Sequence, residues 1–167
     1  MDGRRALRSS PKGACPDGMH EWVFTVPKRL RVYFRYDRKL LGKLCRAAYD
    51  TVCDVFRLEI DGDSGLPAMV GAVQTFGDLI HWHSHIHAIV PDGVFTESGF
   101  FVHIPDIWKH RAVEIWQEKV FALLLDEQKI TDEIAGNMRS WRHSLQPSRL
   151  QPSGRQKHAV LTAHPVL

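Results

Sequence analysis

Four of the ten histidines stand at alternate positions, His81, His83, His85 and His87, in one stretch that runs from Ile80 to Val90 and closes on Pro91-Asp92-Gly93. Successive side chains of a β-strand point to opposite faces. A strand here sets all four imidazoles on one face and Trp82, Ser84, Ile86 and Ala88 on the other. A helix would scatter the same rings around its circumference. Ile89 and Val90 are expected to carry the strand into a buried, β-branched end. Histidines two positions apart on a strand have Cα atoms roughly 6.6 Å apart, near enough for two rings to meet at one divalent ion. The pattern alone leaves two readings open. One is a metal site, with a third ligand from His83 or a neighbouring strand. The other is a solvated, histidine-rich strand. His81 is the most expendable of the four, because a working site keeps positions open for water or substrate.

The segments around this strand are periodic enough to place. Ala68–Phe76 reads as a strand and Gly77-Asp78 as a turn, so an antiparallel pair is expected, with Gln74 within reach of the histidine face. Glu21–Val26 has strand composition and is ended by Pro27, which has no amide proton for a sheet ladder. Asp37 is a candidate N-cap. After it, Leu40, Leu41, Leu44, Ala48, Val52, Val55 and Phe56 recur at three- and four-residue steps, as in an amphipathic helix. Asp61–Gly65 is a connection, and short strands are expected at Val94-Phe95 and Phe100–Ile104. Pro105-Asp106 opens a second long helix, whose apolar face holds Trp108, Ala112, Ile115, Trp116, Val120, Phe121, Leu123 and Leu124. A third helix is expected from about Thr131 to about Trp141, with Asp132 and Glu133 favourably placed in its first turn.

The ends differ from this middle. Residues 1–20 show no periodicity and are expected to be a flexible leader, which leaves residues 21–143 as the folded domain. Beyond His143, Leu145-Gln146-Pro147-Ser148 recurs as Leu150-Gln151-Pro152-Ser153 and no acid appears. Residues 144–167 are expected to be a disordered tail. No apolar run reaches the roughly 18 residues that span a bilayer, and the basic N-terminus lacks the apolar core of a secretory signal. Cys15, Cys45 and Cys53 have no C-x-x-C spacing, so reduced thiols in a cytoplasmic protein are expected. Cys45 and Cys53 fall in the helical pattern as core residues rather than ligands.

Charge is distributed unevenly. Residues 1–49 hold 12 Lys/Arg against 4 Asp/Glu, residues 50–133 hold 5 against 15, and residues 134–167 hold 5 against none. Between Lys28 and Arg46 eight basic residues and one acid are interleaved with Tyr33, Phe34 and Tyr36. Lys28, Arg29, Arg31, Arg35, Arg38 and Lys39 could neutralise phosphates while the aromatic rings stack on unpaired bases. The same stretch is equally a solvated approach to a helix with its aromatics in the core.

Two blocks taken in order resemble a known family. Gln74-Thr75-Phe76-Gly77-Asp78, followed by the run from His83 to Gly93, is similar to the rolling-circle insertion-sequence transposases, whose catalytic domain carries a His-hydrophobic-His (HUH) motif. Phe24–Arg31 resembles the opening of the same domain. The likeness runs from about Trp22 to His143. It implies an α/β fold (an α+β sandwich), with a central antiparallel sheet carrying the His-x-His strand and flanked by helices. His85 and His87 match the two motif histidines. By the resemblance they would hold Mg²⁺ or Mn²⁺ and polarise a scissile phosphodiester, with His83 or Gln74 as the third ligand. The implied partner is single-stranded DNA of a mobile element, nicked and joined during transposition, with no membrane involved.

Two departures accompany the likeness. Members usually begin with a cysteine-rich zinc module, and no such spacing occurs here. They also attack DNA with a tyrosine downstream of the motif, forming a 5′-phosphotyrosine and freeing a 3′-hydroxyl. The three tyrosines here, Tyr33, Tyr36 and Tyr49, all lie upstream, so no catalytic nucleophile is assigned. The expectation is an incomplete domain, truncated or out of frame after His143, that holds metal and DNA without cutting by the covalent route. Two alternatives stand beside it: a small metal-dependent hydrolase using metal-activated water, and a non-catalytic DNA-binding remnant. His83-x-His85-x-His87 fits the hydrolase loosely, since Ala88 falls where that chemistry needs a functional group.

Overall fold

The computed structural model describes residues 8–10, 18–60, 65–76, 82–104, 109–140 and 158–162. His81, the Gly77-Asp78 turn, Trp108 and most of the expected tail lie outside the described residues. The chain runs through β1 (Arg8–Ser10) and β2 (Met19–Thr25), then a 3-10 turn at Lys28–Leu30. Helices α1 (Arg31–Tyr36) and α2 (Lys39–Arg57) follow, then β3 (Leu66–Pro67), β4 (Val70–Phe76) and β5 (Trp82–Pro91). The remainder comprises β6 (Gly93–Phe95), β7 (Phe101–His103), α3 (Lys109–Asp126), α4 (Asp132–Ser140) and β8 (His158–Thr162). This is the α+β fold expected.

The strands form two four-stranded sheets, ordered β4-β5-β2-β8 and β1-β7-β6-β3. In the first, β5 lies between β4 and β2 and is antiparallel to both. β8 is added parallel to β2, with Glu21 opposite His158 and Thr25 opposite Thr162. Residues 158–162 were expected within a structureless tail, and Arg8–Ser10 within a structureless leader; both pair in a sheet instead. His158-Ala159-Val160-Leu161-Thr162 is an apolar, partly β-branched run of the kind that completes a ladder, and the polar stretch before it conceals that.

Alternation along β5 decides which face of the first sheet is core. Ser84, Ile86, Ala88 and Val90 are buried, as are Trp22 and Phe24 of β2 on the same face. Ile86, Ala88, Val90, Trp22 and Phe24 belong to one apolar cluster with Leu40, Leu44, Val52, Phe56, Trp116 and Phe121 of the helices. The helical spacing read from the sequence therefore falls on the packed faces of α2 and α3, which lie against each other. Ile89 corrects the expected buried strand end. It shares the histidine face, opposite Val70, and is 51% exposed. An apolar run hides alternation that the sheet still obeys.

Asp37 stands just ahead of α2 rather than at its cap position: its Oδ1 accepts the Lys39 amide at 3.2 Å. Lys129 pairs with the same carboxylate and holds it below its usual range. Cys53 is buried and Cys45 half-buried, and burial pushes both thiols up. These are packing residues, as their helical positions suggested.

The passage from β5 to the second sheet is pinned at Asp92. Its amide donates to Gly18 O at 3.0 Å, and its carbonyl accepts the Ile104 amide at 2.8 Å. Gly93 follows at a contact where only glycine fits, since a Cβ there would stand 2.1 Å from the Val102 carbonyl oxygen.

Candidate metal centre

The site is built on the face of the first sheet turned away from the helices. Directly opposed residues of antiparallel strands share a face. The register sets Thr25 and Gln74 on either side of His85, and Val23 and Ala72 on either side of His87. Gln74 therefore meets the histidines because two strands pair, as the hairpin reading anticipated. The rings of His83 and His85 lie 4.6 Å apart between centroids, and those of His85 and His87 5.0 Å apart. His85 is buried between them, while His83 and His87 are half-buried.

Hydrogen bonds fix the tautomers. His85 Nδ1 lies 2.8 Å from the carbonyl oxygen of His83. A carbonyl can only accept, so Nδ1 carries the proton and Nε2 of the neutral ring carries a lone pair. That lone pair faces Gln74 Oε1, another acceptor, at 3.1 Å. Such a contact is reconciled by turning the amide over, so that its NH₂ donates to the ring, by a second ring proton on Nε2, or by a cation held between the two atoms. His87 is arranged in the same way. Its Nδ1 lies 2.7 Å from Glu21 Oε1, so the ring donates to a carboxylate and Nε2 is again the basic nitrogen.

Two imidazole nitrogens and one amide oxygen are the donors this face would offer a divalent cation, a softer set than Mg²⁺ or Mn²⁺ prefers. Adjacent ligands of an octahedral ion bound at about 2.1 Å are separated by about 3.0 Å, which matches the Nε2–Oε1 distance above. Metal-ligating histidines characteristically donate their other ring N–H to a carbonyl or carboxylate, and both rings do so here. Among the described residues, no three His, Cys, Asp or Glu side chains close into a metal-binding group. A site on this face therefore depends on the Gln74 amide.

The basic segment adjoins the start of the histidine strand, since α1 packs on β5. Lys28, Arg29, Arg35, Arg38 and Lys39 are exposed. The guanidinium of Arg38 lies over the Trp82 ring at 5.8 Å and that of Arg35 over Tyr36 at 5.7 Å. Phe76 packs edge-on to Trp82 and is 61% exposed. Arg31 differs from the other candidates. It is half-buried, and its Nε donates to the Val26 carbonyl at 2.9 Å, binding the start of α1 to the end of β2. Phe34 is buried and Tyr36 is exposed, so the interleaved aromatics divide between core and surface.

Glu21 is the one site residue that the motif did not indicate. It lies on a strand 66 residues away from His87 in sequence. The available signal was an acid at the head of an otherwise apolar strand.

The α+β fold sets paired histidines on the sheet face turned away from the helices, and sequence comparison identifies the family. Residues 68–162 match the Y2_Tnp transposase family, and the chain belongs to it. The matched region holds β4, the histidine strand, both later helices and β8. The chain is also 34% identical, over 89 residues, to the transposase for insertion sequence element IS801 from Pseudomonas savastanoi pv. phaseolicola. That alignment takes in 53% of this chain and 19% of the relative, so the chain spans about one fifth of the transposase it matches. No solved structure matches it. No helix among the described residues is long and apolar enough to cross a membrane.

Proposed function

We propose that this domain binds single-stranded DNA of a mobile element and presents one phosphodiester to a divalent cation, Mg²⁺ or Mn²⁺, held by His85, His87 and Gln74, with His83 behind His85. The observation that carries this reading is the pair of imidazoles whose Nδ1 atoms are each engaged by an acceptor, which leaves Nε2 as the ligand atom, with Gln74 Oε1 beside the first. When bound, the cation would polarise the scissile phosphodiester. The chain's own contribution is placement. The His83 carbonyl and the Glu21 carboxylate set the tautomers, Gln74 closes one side, and the basic residues beside Trp82 hold the backbone of the strand.

Binding to an unstructured oligonucleotide is expected to be weak and to fall as salt rises. Counterion release gives a slope in log K against log salt of roughly −0.7 for each phosphate neutralised on a single strand. Replacing Lys28, Arg35 and Arg38 together by alanine should flatten the slope by about two units. Fluorescence anisotropy at several salt concentrations reads both quantities. An affinity indifferent to salt, or to the triple substitution, would remove the basic segment from the DNA surface.

Covalent cutting is not expected from these 167 residues acting alone. A phenolic oxygen must come within about 3–3.5 Å of the phosphorus to attack it. Tyr49 donates its hydroxyl to the Pro67 carbonyl at 3.3 Å, and burial pushes its phenol up, away from the nucleophilic phenolate. Tyr33 and Tyr36 belong to α1. The assay is denaturing electrophoresis of labelled single-stranded DNA after incubation with the chain and Mn²⁺. The expected result is no protein–DNA adduct. An adduct abolished by changing Tyr33, Tyr36 or Tyr49 to phenylalanine would contradict this.

A further inference from the structure

We propose that Glu21 is a positioning residue for the metal centre, holding His87 in the one tautomer and orientation in which its Nε2 can serve as a ligand. The proposal rests on the reading of His87 as a ligand and adds to it a residue outside the matched family region, which begins at residue 68. Glu21 stands on β2 opposite Ile89, and His87 stands opposite Val23, so carboxylate and imidazole are diagonal neighbours across the β2–β5 ladder. Diagonal pairs lie within reach of long side chains. The 2.7 Å separation is that of a charge-assisted hydrogen bond.

A hydrogen bond of this kind contributes little to stability, because both side chains are one-third exposed and screened by solvent. Its consequence for the ring is larger. With the carboxylate accepting from Nδ1–H, the proton cannot sit on Nε2 of the neutral imidazole, and the lone pair is committed to the side a cation would occupy. His85 gets the same service from its own strand, through the His83 carbonyl. His87 Nδ1 instead meets the side chain of a residue on another strand. A carboxylate behind an imidazole also strengthens it as a donor, and loss of such a partner typically costs 10–100-fold in metal affinity.

The test compares the wild type with Glu21→Ala and Glu21→Gln by two readouts. The first is the ¹⁵N ring spectrum of His87 in metal-free protein at about pH 8.5, where an unperturbed imidazole is neutral. The wild type should show the Nδ1–H tautomer, Glu21→Ala should shift towards Nε2–H, and Glu21→Gln, which keeps an acceptor oxygen, should retain Nδ1–H. The second is calorimetric titration with Mn²⁺, in which Glu21→Ala should bind 10–100-fold more weakly and Glu21→Gln should fall between it and the wild type. An unchanged His87 tautomer in Glu21→Ala, or an unchanged Mn²⁺ affinity, overturns the proposal. A wild type that takes up no Mn²⁺ overturns the ligand reading instead, and the ring spectrum alone then decides whether Glu21 sets the tautomer.

Discussion

Trp116→Ala is expected to destabilise the domain by about 4 kcal/mol, within the 3–5 kcal/mol typical of emptying a buried tryptophan site. Trp116 is fully buried and meets Phe24 edge-on at 5.0 Å between centroids. Its indole Nε1 also donates to the Thr25 carbonyl at 2.8 Å, so one side chain joins α3 to the end of the strand that carries Glu21. Two effects are superposed, and a second variant separates them. Trp116→Phe removes the donor while keeping much of the ring volume. It should cost about 2 kcal/mol, as the hydrogen bond is lost and the site is only partly refilled. Urea denaturation followed by circular dichroism measures both. A loss below about 1 kcal/mol for Trp116→Ala would mean that α3 does not hold the sheet as described.

Much of the site was legible because a strand has a period of two. His83, His85 and His87 share a face for that reason, and Gln74 joins them because β4 ends at Phe76 and β5 begins at Trp82, a separation that leaves few registers open. Periodicity also located α2 and α3, whose apolar positions at three- and four-residue steps coincide with Leu40, Leu44, Val52, Phe56, Trp116 and Phe121 of the core. What the sequence concealed depends on long-range pairing. Glu21 reaches His87 only through the β2–β5 register, and nothing local to either residue encodes that register. β8 is a short apolar run set among prolines and polar residues, and its partner β2 is far away in sequence. Ile89 looked buried because Ile89-Val90 is β-branched throughout, and composition cannot tell which face of a sheet the helices cover. Arg31 reads as one more member of a basic cluster until its bond to the Val26 carbonyl is seen.

Replacing His85 and His87 together by alanine is expected to abolish metal binding while leaving the fold in place. His87 is half-buried on the face away from the helices. His85, although buried, packs among polar neighbours rather than in the apolar cluster. The double variant should therefore unfold within about 1–2 kcal/mol of the wild type, inside the roughly 0.5–3 kcal/mol of most destabilising substitutions. Its effect on the cation should be far larger. Loss of a partner behind a ligand costs 10–100-fold in affinity, so loss of two direct ligands should exceed about 100-fold. Gln74→Ala should fall between, since it removes one oxygen and leaves both imidazoles. Calorimetric titration of wild type and double variant with Mn²⁺ tests the joint role of these histidines most directly. One-to-one uptake of Mn²⁺ by the wild type and none measurable in the variant is the expected result; equal affinity in the two proteins would contradict a joint role for His85 and His87.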